Sequence, residues 1–401
     1  MIAKEVLQKL IKQYQSELNI QKTVPREITV KHRPKFATII SGIRRCGKST
    51  LAKQLLKEKK PVYYFHFENV QLARFEQEDF AKLDECFIKL LGKKGVYLLD
   101  EIQNIKGWEI YIRQLVDSGN TVIVTGSNAT MLSKELGTRL TGRNLRYELY
   151  PFTYKEYLKA TKKKPSIRSF EAYFFEGGFP EYVLTKDDEI LRNLFQDIFY
   201  RDIVVRNDLQ KESVLKDFIS FISANVGSEI SYSKLQKILE LGSHNTVSQF
   251  ILACEQAYLF FQVERFDYSR KKQLIAPKKI YCVDNALLRL NAFSFSKKSG
   301  RYLENIVFIQ LKRESREIYY HKIKYECDFL IKEGLKITKA IQVCYKLDTE
   351  NEQRELRGLI DACKTHKLKE GLILTHDQED NYNLEGVTIQ VRPVWKWLYK
   401  Q

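Results

Sequence analysis

The residues with the clearest chemistry form one glycine-rich loop. Its members are Gly42, Ile43, Arg44, Arg45, Cys46, Gly47, Lys48, Ser49 and Thr50. Their spacing, G-x-x-x-x-G-K-S, is that of a phosphate-binding loop between a strand and a helix. The two glycines let backbone N–H groups turn around a phosphate, and Lys48 places a positive charge against its outer oxygens. The Ser49 hydroxyl would complete a magnesium shell. We therefore expect all nine residues to bind ATP, and Ser49 to hold Mg²⁺ as well.

A pair of acids marks a second stretch. The apolar run 95–99 ends in Asp100 and Glu101, as a buried parallel strand with functional groups at its tip would. We expect Asp100 to hold Mg²⁺ together with Ser49, and Glu101 to polarise the attacking water. The alternative is an ordinary junction between a strand and a helix, in which the two acids are only solvated.

Two further residues are candidate catalytic groups. Ser127 follows the apolar run 121–126 and could reach the γ-phosphate or the water, or only cap the next helix. Arg143 could supply positive charge to the transition state, in its own subunit or in a neighbour. An arginine that merely solvates the surface is the alternative.

The elements that position these groups alternate between strand and helix over residues 36–159. Such alternation predicts a parallel sheet covered on both faces. Ligands bind beyond the carboxyl ends of such strands, where Gly42, Asp100 and Ser127 all fall.

Composition limits the class of protein. The chain has 401 residues, 44% of them hydrophobic and 29% charged, so several soluble domains are expected. No run approaches the roughly 18–20 apolar residues of a membrane helix, and residues 1–20 lack the features of a signal peptide. Seven cysteines without a C-x-x-C pair favour a reducing cytoplasm. The net charge of +17 suits nucleic acid, or simply a lysine-rich solvated surface.

Residues 213–290 have a different pattern. Three short helices are followed by a basic hairpin, which predicts a winged helix-turn-helix. The residues expected to contact DNA are His244, Asn245, Thr246, Ser248 and Gln249 at the start of the third helix, and Arg270, Lys271 and Lys272 in the basic turn. A winged helix used for packing or for protein contact is the alternative.

Residues 291–401 read as a separate α/β unit. Glu304 lies on its first helix and Asp328 on a following strand. Acids on a helix and on neighbouring strands could converge on a metal ion.

The combined motifs resemble one family. They are the loop 42–50, the stretch 98–103 with Trp108, the pair 125–127 and 139–143, the turn 177–180 and the segment 201–203. On them the chain resembles the bacterial and archaeal AAA+ ATPases that carry a C-terminal domain of unknown function. The resemblance implies an α/β fold: an entry segment 1–35, an AAA+ parallel-sheet P-loop core 36–159, a helical lid 160–212, a winged helix 213–290 and a restriction-endonuclease-like domain 291–401.

The tail of that family is similar to PD-(D/E)xK nucleases. By this resemblance Glu304, Asp328 and an acid-x-lysine on the next strand would form the centre. This sequence departs from the pattern, because Gln342 holds the acid position and Cys344 the lysine position, with Lys346 two residues later. Glutamine is a poor magnesium ligand and cysteine cannot replace an ammonium. We therefore expect a degenerate nuclease centre.

These observations together predict a cytoplasmic, Mg²⁺-dependent ATPase that acts as an ATP-driven switch on DNA. Two alternatives stay open: an ATP-controlled DNA endonuclease, and a regulatory ATPase that acts through a protein partner. Assembly into a homo-oligomer is compatible with either version of the Arg143 hypothesis.

Overall fold

A computed structural model describes residues 1–18, 23–31, 33, 35–57, 59, 61–132, 142–291, 299–314 and 317–400. The chain forms two compact units. The first consists of Met1–Tyr150 with Gln256–Tyr258, and the second of Pro151–Glu255 with Leu259–Gln401. Each unit is described by itself.

The first unit is built on five parallel strands. They are β1 (Ala37–Ser41), β2 (Val62–His66), β3 (Val96–Asp100), β4 (Val122–Gly126) and β5 (Asn144–Glu148). Its helices are α1 (Lys4–Ser16), α2 (Lys48–Leu55), α3 (Asp79–Leu91) and α4 (Trp108–Asp117). The strand order is β2-β3-β4-β1-β5, and every neighbouring pair runs parallel. The expected parallel α/β core is therefore confirmed.

The central strands of the sheet are buried on both faces, as their apolar sequences require. Every residue of β1 and of β4 is buried. The helix α1 contributes to this core through Leu7, Leu10 and Ile11. Because β4 lies between β1 and β3, the segments that follow these three strands meet at one edge of the sheet.

The second unit begins with helices. They are α5 (Tyr154–Thr161), α6 (Ile167–Glu176), α7 (Pro180–Thr185) and α8 (Asp188–Asp197), and a π-helical segment (Ile198–Val205) continues the last one. The next helices are α9 (Glu212–Ala224), α10 (Tyr232–Ile238), α11 (His244–Gln256), α12 (Arg270–Ile275) and α13 (Asn285–Asn291). The final three are α14 (Ser299–Arg313), α15 (Glu352–Thr365) and α16 (Val394–Lys400).

One sheet of nine strands runs through the second unit. Its strands are β6 (Glu229–Ile230), β7 (Phe260–Arg265), β8 (Lys278–Cys282), β9 (Glu317–Lys322), β10 (Glu326–Glu333), β11 (Lys336–Val343), β12 (Glu370–Thr375), β13 (Asp380–Leu384) and β14 (Val387–Pro393). The order is β13-β14-β12-β11-β10-β9-β7-β8-β6. A short parallel pairing of β7 with β9 joins the β6-β8-β7 sheet to the C-terminal strands.

The basic stretch at 270–272 differs from the expected turn. Arg270, Lys271 and Lys272 form the first turn of helix α12, between β7 and β8. The side chain of Ser269 accepts a hydrogen bond from the backbone N–H of Lys272 and so caps this helix. The cap stabilises a helical turn where a tight hairpin turn was expected.

Candidate nucleotide-binding site

The glycine-rich loop joins β1 to α2 and needs its glycines for two different reasons. A Cβ on Gly42 would lie 2.0 Å from the carbonyl oxygen of Leu149, so a side chain has no room there. Gly47 has φ = 99° and precedes α2, in the left-handed region that glycine adopts without strain. Close packing and backbone conformation thus fix the loop as the motif predicts.

The side chains of the loop make separate contacts within the first unit. The Arg44 Nη1 atom donates to Glu68 Oε1 at 2.8 Å, and Cys46 Sγ donates to the carbonyl of Leu149 at 3.2 Å. Ile43 is fully buried. Arg45 has φ = 57°, and Thr50 lies in the first turn of α2.

Lys48 places its ammonium inside the loop. Only 4% of the residue is exposed, and its Nζ atom donates to the carbonyl of Ile43 at 3.1 Å. The same atom lies 3.4 Å from Glu101 Oε1. A buried ammonium at the start of a helix suits a phosphate ligand.

Asp100 and Ser49 form the expected pair. The Ser49 hydroxyl donates to Asp100 Oδ1 at 2.9 Å, and Thr125 donates to the same oxygen. On the other oxygen, Oδ2, the Tyr64 hydroxyl lies at 3.3 Å and His66 Nδ1 at 3.4 Å. Burial by itself would raise the pKa of Asp100, but His66 and the hydroxyls bring that pKa down to about 2. This carboxylate therefore stays ionised.

These oxygens suit Mg²⁺. A hydroxyl and a carboxylate oxygen from the protein, completed by phosphate and water, make the usual donor set of this ion. Among the described residues, no group of three or more His, Cys, Asp or Glu side chains is placed to hold a metal ion without such help.

Glu101 turns away from Asp100 toward β4. Its backbone is left-handed, with φ = 53° and ψ = 40°. Its Oε2 atom accepts hydrogen bonds from the Ser127 backbone N–H at 3.1 Å, the Ser127 hydroxyl at 2.9 Å and Gln103 Nε2 at 2.6 Å. Burial raises the pKa of Glu101, but the Lys48 charge, the Gln103 amide and the Arg44 charge lower it overall. An ionised carboxylate held at this edge is suited to polarise a water molecule.

Ser127 and the adjacent Asn128 make different contacts, and the helix-capping role considered for Ser127 falls to Asn128. Ser127 is buried against Glu101, whereas Asn128 Oδ1 accepts from the backbone N–H of Thr130 at 2.9 Å. Asn128 therefore supports the turn at 129–132, and Ser127 orients the acid.

Arg143 lies at the amino-terminal end of the parallel strands, whereas the loop lies at their carboxyl end. Asn144, the next residue, pairs with Ala37 at the start of β1, whereas the loop follows the end of that strand. The length of β1 separates the two, roughly 13 Å at about 3.3 Å per residue. Arg143 Nη1 instead donates to Asp117 Oδ1 at 2.7 Å. This corrects the version of the hypothesis in which Arg143 acts within its own subunit; residues 139–141 of its motif lie outside the described residues.

Sequence reasoning missed several contributors. Arg26 donates through Nη1 to the carbonyl of Cys46 at 2.7 Å and through Nη2 to that of Tyr150 at 2.6 Å, and so fixes the loop from outside. His66 is the register partner of Asp100 on β2. The position of His66 at the end of an apolar strand indicates a functional residue only once β2 is known to pair with β3.

In the second unit the structure brings Glu304 and Asp328 together. Gln342 Oε1 accepts from the backbone N–H of Asp328 at 3.1 Å. The side-chain amide of Gln342 donates to Glu355 Oε2 at 2.6 Å. Burial raises the pKa of Glu304 to about 8. These residues line a cleft of about 730 Å³.

The lysine of this cluster is a different one from that expected. Lys346 is exposed and lies on the wall of the cleft. The ammonium against the acids belongs to Lys279 on β8, 3.1 Å from Glu304 Oε1 and 2.8 Å from Asp328 Oδ1. The lysine that contacts the acids is therefore Lys279, which lies outside the expected domain 291–401, and not Lys346.

The candidate DNA-contacting residues are displayed on the surface of the second unit. The exposed ones are His244, Asn245, Ser248, Gln249, Arg270, Lys271 and Lys272. Thr246 is half-buried, and its backbone N–H donates to Ser243 Oγ at 3.3 Å. Arg270 is paired with Glu264, which reduces its free charge.

Comparison with known proteins gives the family. Residues 34–158 match the model of an AAA domain, and residues 167–298 match a domain of unknown function, DUF8612. The chain is 32% identical over 411 residues to the uncharacterized protein MJ1544 of Methanocaldococcus jannaschii, covering 94% of this chain and 91% of that protein. It belongs to the MJ1544 family. An uncharacterized protein of Haemophilus influenzae is 31% identical and covers 90% of this chain, which covers 94% of that protein.

Within this MJ1544-family protein, the loop, the acid pair and Ser127 all fall inside the AAA-domain match. The crystal structure of Cdc6p from Pyrobaculum aerophilum aligns with 68% of this chain and 88% of its own, at 10% identity and a TM-score of 0.27, which is too low to establish a common fold. Among the described residues, the helices are too short or too polar to span a bilayer.

Proposed function

We propose that this protein is a Mg²⁺-dependent ATPase. The observation that carries the proposal is the pair of hydrogen-bonded acids at the mouth of the loop, Asp100 on Ser49 and Glu101 on Ser127. A loop that only bound nucleotide would not need the second acid. Its contact with Lys48, at 3.4 Å, supports a catalytic role for this carboxylate beside the γ-phosphate.

Each side chain then has a defined task. Lys48 neutralises the oxygens of the β- and γ-phosphates, and Ser49 and Asp100 hold the metal ion. A magnesium ion held there would supply positive charge that stabilises the phosphoryl-transfer transition state. Glu101 orients and polarises the attacking water, and Ser127 with Gln103 keeps the Glu101 carboxylate aimed.

We further propose that the ATPase is a switch acting on DNA. The chain order α9, β6, α10, α11, β7, β8, with β6 and β7 both antiparallel to β8, supports a winged helix. Its third helix, α11, presents exposed polar side chains, and the net charge of +17 favours a polyanion. A protein partner on the same surface is the second candidate, because a winged helix also serves protein contact.

We also propose that residues 291–401 form a restriction-endonuclease-like domain without strong cleavage activity. The element order α14, β9, β10, β11, α15, β12, with β12 parallel to β11, supports this fold. Gln342 at the acid position argues against efficient metal-dependent cleavage. If it nicks DNA, the nicking must depend on a divalent metal and vanish in Asp328→Ala.

The deciding experiment is steady-state ATP hydrolysis at low salt, titrated with duplex and with single-stranded DNA. Glu101→Gln is the background control. Stimulation by DNA supports the DNA-responsive switch. Basal turnover that ignores DNA favours the protein-partner candidate, and no turnover above Glu101→Gln contradicts the ATPase proposal for the isolated protein.

A further inference from the structure

The acid cluster of the C-terminal cleft already contains a cation from this chain. Lys279 lies on β8, and only 1% of it is exposed. Its Nζ atom lies 2.8 Å from Asp328 Oδ1, 3.1 Å from Glu304 Oε1 and 2.9 Å from Glu326 Oε1. The ammonium donates hydrogen bonds to Glu304 and Asp328 and forms a close ion pair with Glu326.

Other donors also bind the carboxyl oxygens of this cluster. The Tyr281 hydroxyl donates to Glu304 Oε1 at 2.5 Å, and the backbone N–H of Val343 donates to Asp328 Oδ2 at 2.9 Å. Lys322 lies 3.2 Å from Glu326 Oε2. Five of the six carboxyl oxygens of Glu304, Glu326 and Asp328 are thus already within bonding distance of a donor from the protein.

The space between Glu304 and Asp328, where the nuclease resemblance implies a metal ion, is therefore not suited to hold a metal ion. Mg²⁺ requires a nearly octahedral set of oxygens at about 2.0–2.1 Å. An ion bound between Glu304 and Asp328 would lie close to the Lys279 ammonium, and two buried like charges repel strongly. The Gln342 amide oxygen is not available either, because it accepts from the Asp328 backbone.

We propose that Lys279 is the resident cation of this cluster: its ammonium takes the place of a divalent metal ion among Glu304, Glu326 and Asp328. The lysine thereby ties β8 to α14 and β10, on which these acids lie. The cluster serves as a fixed joint between the two parts of the nine-stranded sheet. This inference does not depend on ATP hydrolysis.

The competing interpretation is that Lys279 assists a metal-bound nuclease centre. Under that interpretation the wild-type cluster binds a divalent ion with Lys279 present. Mn²⁺ titration followed by electron paramagnetic resonance separates the two, because it counts bound ions without reference to activity. The full-length protein is used without nucleotide, and every variant carries Asp100→Asn to remove the other candidate metal ligand.

With Lys279 intact, we expect no Mn²⁺ binding that is sensitive to Asp328→Asn. Lys279→Met removes the ammonium and keeps most of the volume, so we expect a gain of at least about tenfold in Mn²⁺ affinity. Adding Asp328→Asn to Lys279→Met should abolish that gain. Lys278→Met is the matched control: it is the neighbouring lysine on the same strand, it is 18% exposed and it pairs with Glu264.

Two results would overturn the proposal. One is Mn²⁺ binding to the protein with Lys279 intact that is lost on Asp328→Asn. The other is a folded Lys279→Met protein that gains no Mn²⁺ site. Should Lys279→Met fail to fold, because uncompensated carboxylates remain buried, Lys279→Met/Glu326→Gln removes one acid together with the ammonium and is measured in its place.

Discussion

At the scale of single residues, two adjacent acids acquire different roles from their surroundings. Asp100 faces the Ser49 hydroxyl, whereas the left-handed backbone of Glu101 turns the next carboxylate toward Ser127. A non-glycine residue in this conformation costs roughly 1 kcal/mol or more, so the surrounding contacts must hold it. We interpret this strain as the means by which one strand end supplies both a metal ligand and a base.

Replacing Glu101 by glutamine tests the second role. Glu101→Gln keeps the size of the side chain but removes the carboxylate that polarises water. We expect ATP turnover to fall by about 10²–10⁴-fold, with nucleotide affinity nearly unchanged. Turnover is measured by phosphate release and affinity by calorimetry. Glu78→Gln, on the exposed surface before α3, should leave both values unchanged; equal turnover of wild type and Glu101→Gln would remove Glu101 from the mechanism.

At the scale of elements, the position of the loop depends on the segment after β5. The Leu149 N–H donates to the carbonyl of Ser41 at 2.7 Å, which brings that segment against the beginning of the loop. The Gly42 N–H donates to the carbonyl of Gly126 at 3.3 Å, at the end of β4. The loop is thus held between the ends of β4 and β5, the two strands that flank β1.

Gly42→Ala is expected to disrupt this arrangement. The new Cβ would lie 2.0 Å from the Leu149 carbonyl oxygen, and backbone cannot move aside as a flexible side chain can. We expect a loss of about 1–3 kcal/mol in unfolding free energy, together with at least about tenfold weaker nucleotide binding. Thermal unfolding and nucleotide titration measure the two effects. Gly242→Ala is the control, since its Cβ would meet nothing within 4 Å; equal behaviour of the two variants would contradict the packing argument.

The Glu304 carboxyl on α14 predicts a pH dependence. Its pKa is about 8 in the folded protein against 4.5 for an ordinary glutamate, so the folded state binds more protons between these values. The contribution of this carboxyl to stability is therefore fully present below about pH 4.5 and is lost as the pH rises toward 8, by roughly 1 kcal/mol per pH unit. Glu304→Gln stays neutral throughout and should lack this component.

The thermal unfolding midpoints at pH 6 and at pH 8 measure the contribution of Glu304 to stability. The decrease between the two should be larger in wild type than in Glu304→Gln by roughly 4 °C or more. Glu350→Gln, an exposed acid, should behave as wild type. An identical decrease in wild type and Glu304→Gln would show that this carboxyl is already ionised at pH 6.

At the scale of the whole molecule, the net charge of +17 is the property that bears on partners. Charge of this size acts over the Debye length and depends on ionic strength. Charge by itself does not distinguish DNA from an acidic protein. DNA is distinguished from an acidic protein by whether specific exposed cations, such as those in the first turn of α12, release counterions from the polyanion.

Lys271→Ala/Lys272→Ala tests this distinction. Each lysine that contacts a phosphate contributes about one to the slope of log affinity against log salt. We therefore expect the slope for duplex DNA to decrease by about two, with ATP turnover in the absence of DNA unchanged. Fluorescence anisotropy at several salt concentrations gives the slope. Lys162→Ala/Lys164→Ala, exposed lysines after α5, is the matched control; equal slopes for both double variants would exclude the start of α12 from the interface.

The sequence by itself determined the nucleotide loop, the acid pair and the parallel α/β core. These features are local: spacing within ten residues specifies the loop, and apolar runs that end in acids specify the strand tips. Residue type alone carries the chemistry of Lys48, Ser49 and Asp100. The winged helix, the nuclease-like domain and the action on DNA stay predictions.

Only the tertiary structure decided which distant residues meet. Strand order brings Ser127 to Glu101 and His66 to Asp100. The parallel pairing of β5 with β1 places Arg143 beside the start of β1, whereas the loop follows the end of that strand. Lys279 reaches Glu304 and Asp328 because β7 pairs with β9 and extends one sheet across residues that read as separate domains. Pairing between strands far apart in the chain leaves no local pattern, so sequence periodicity cannot reveal it.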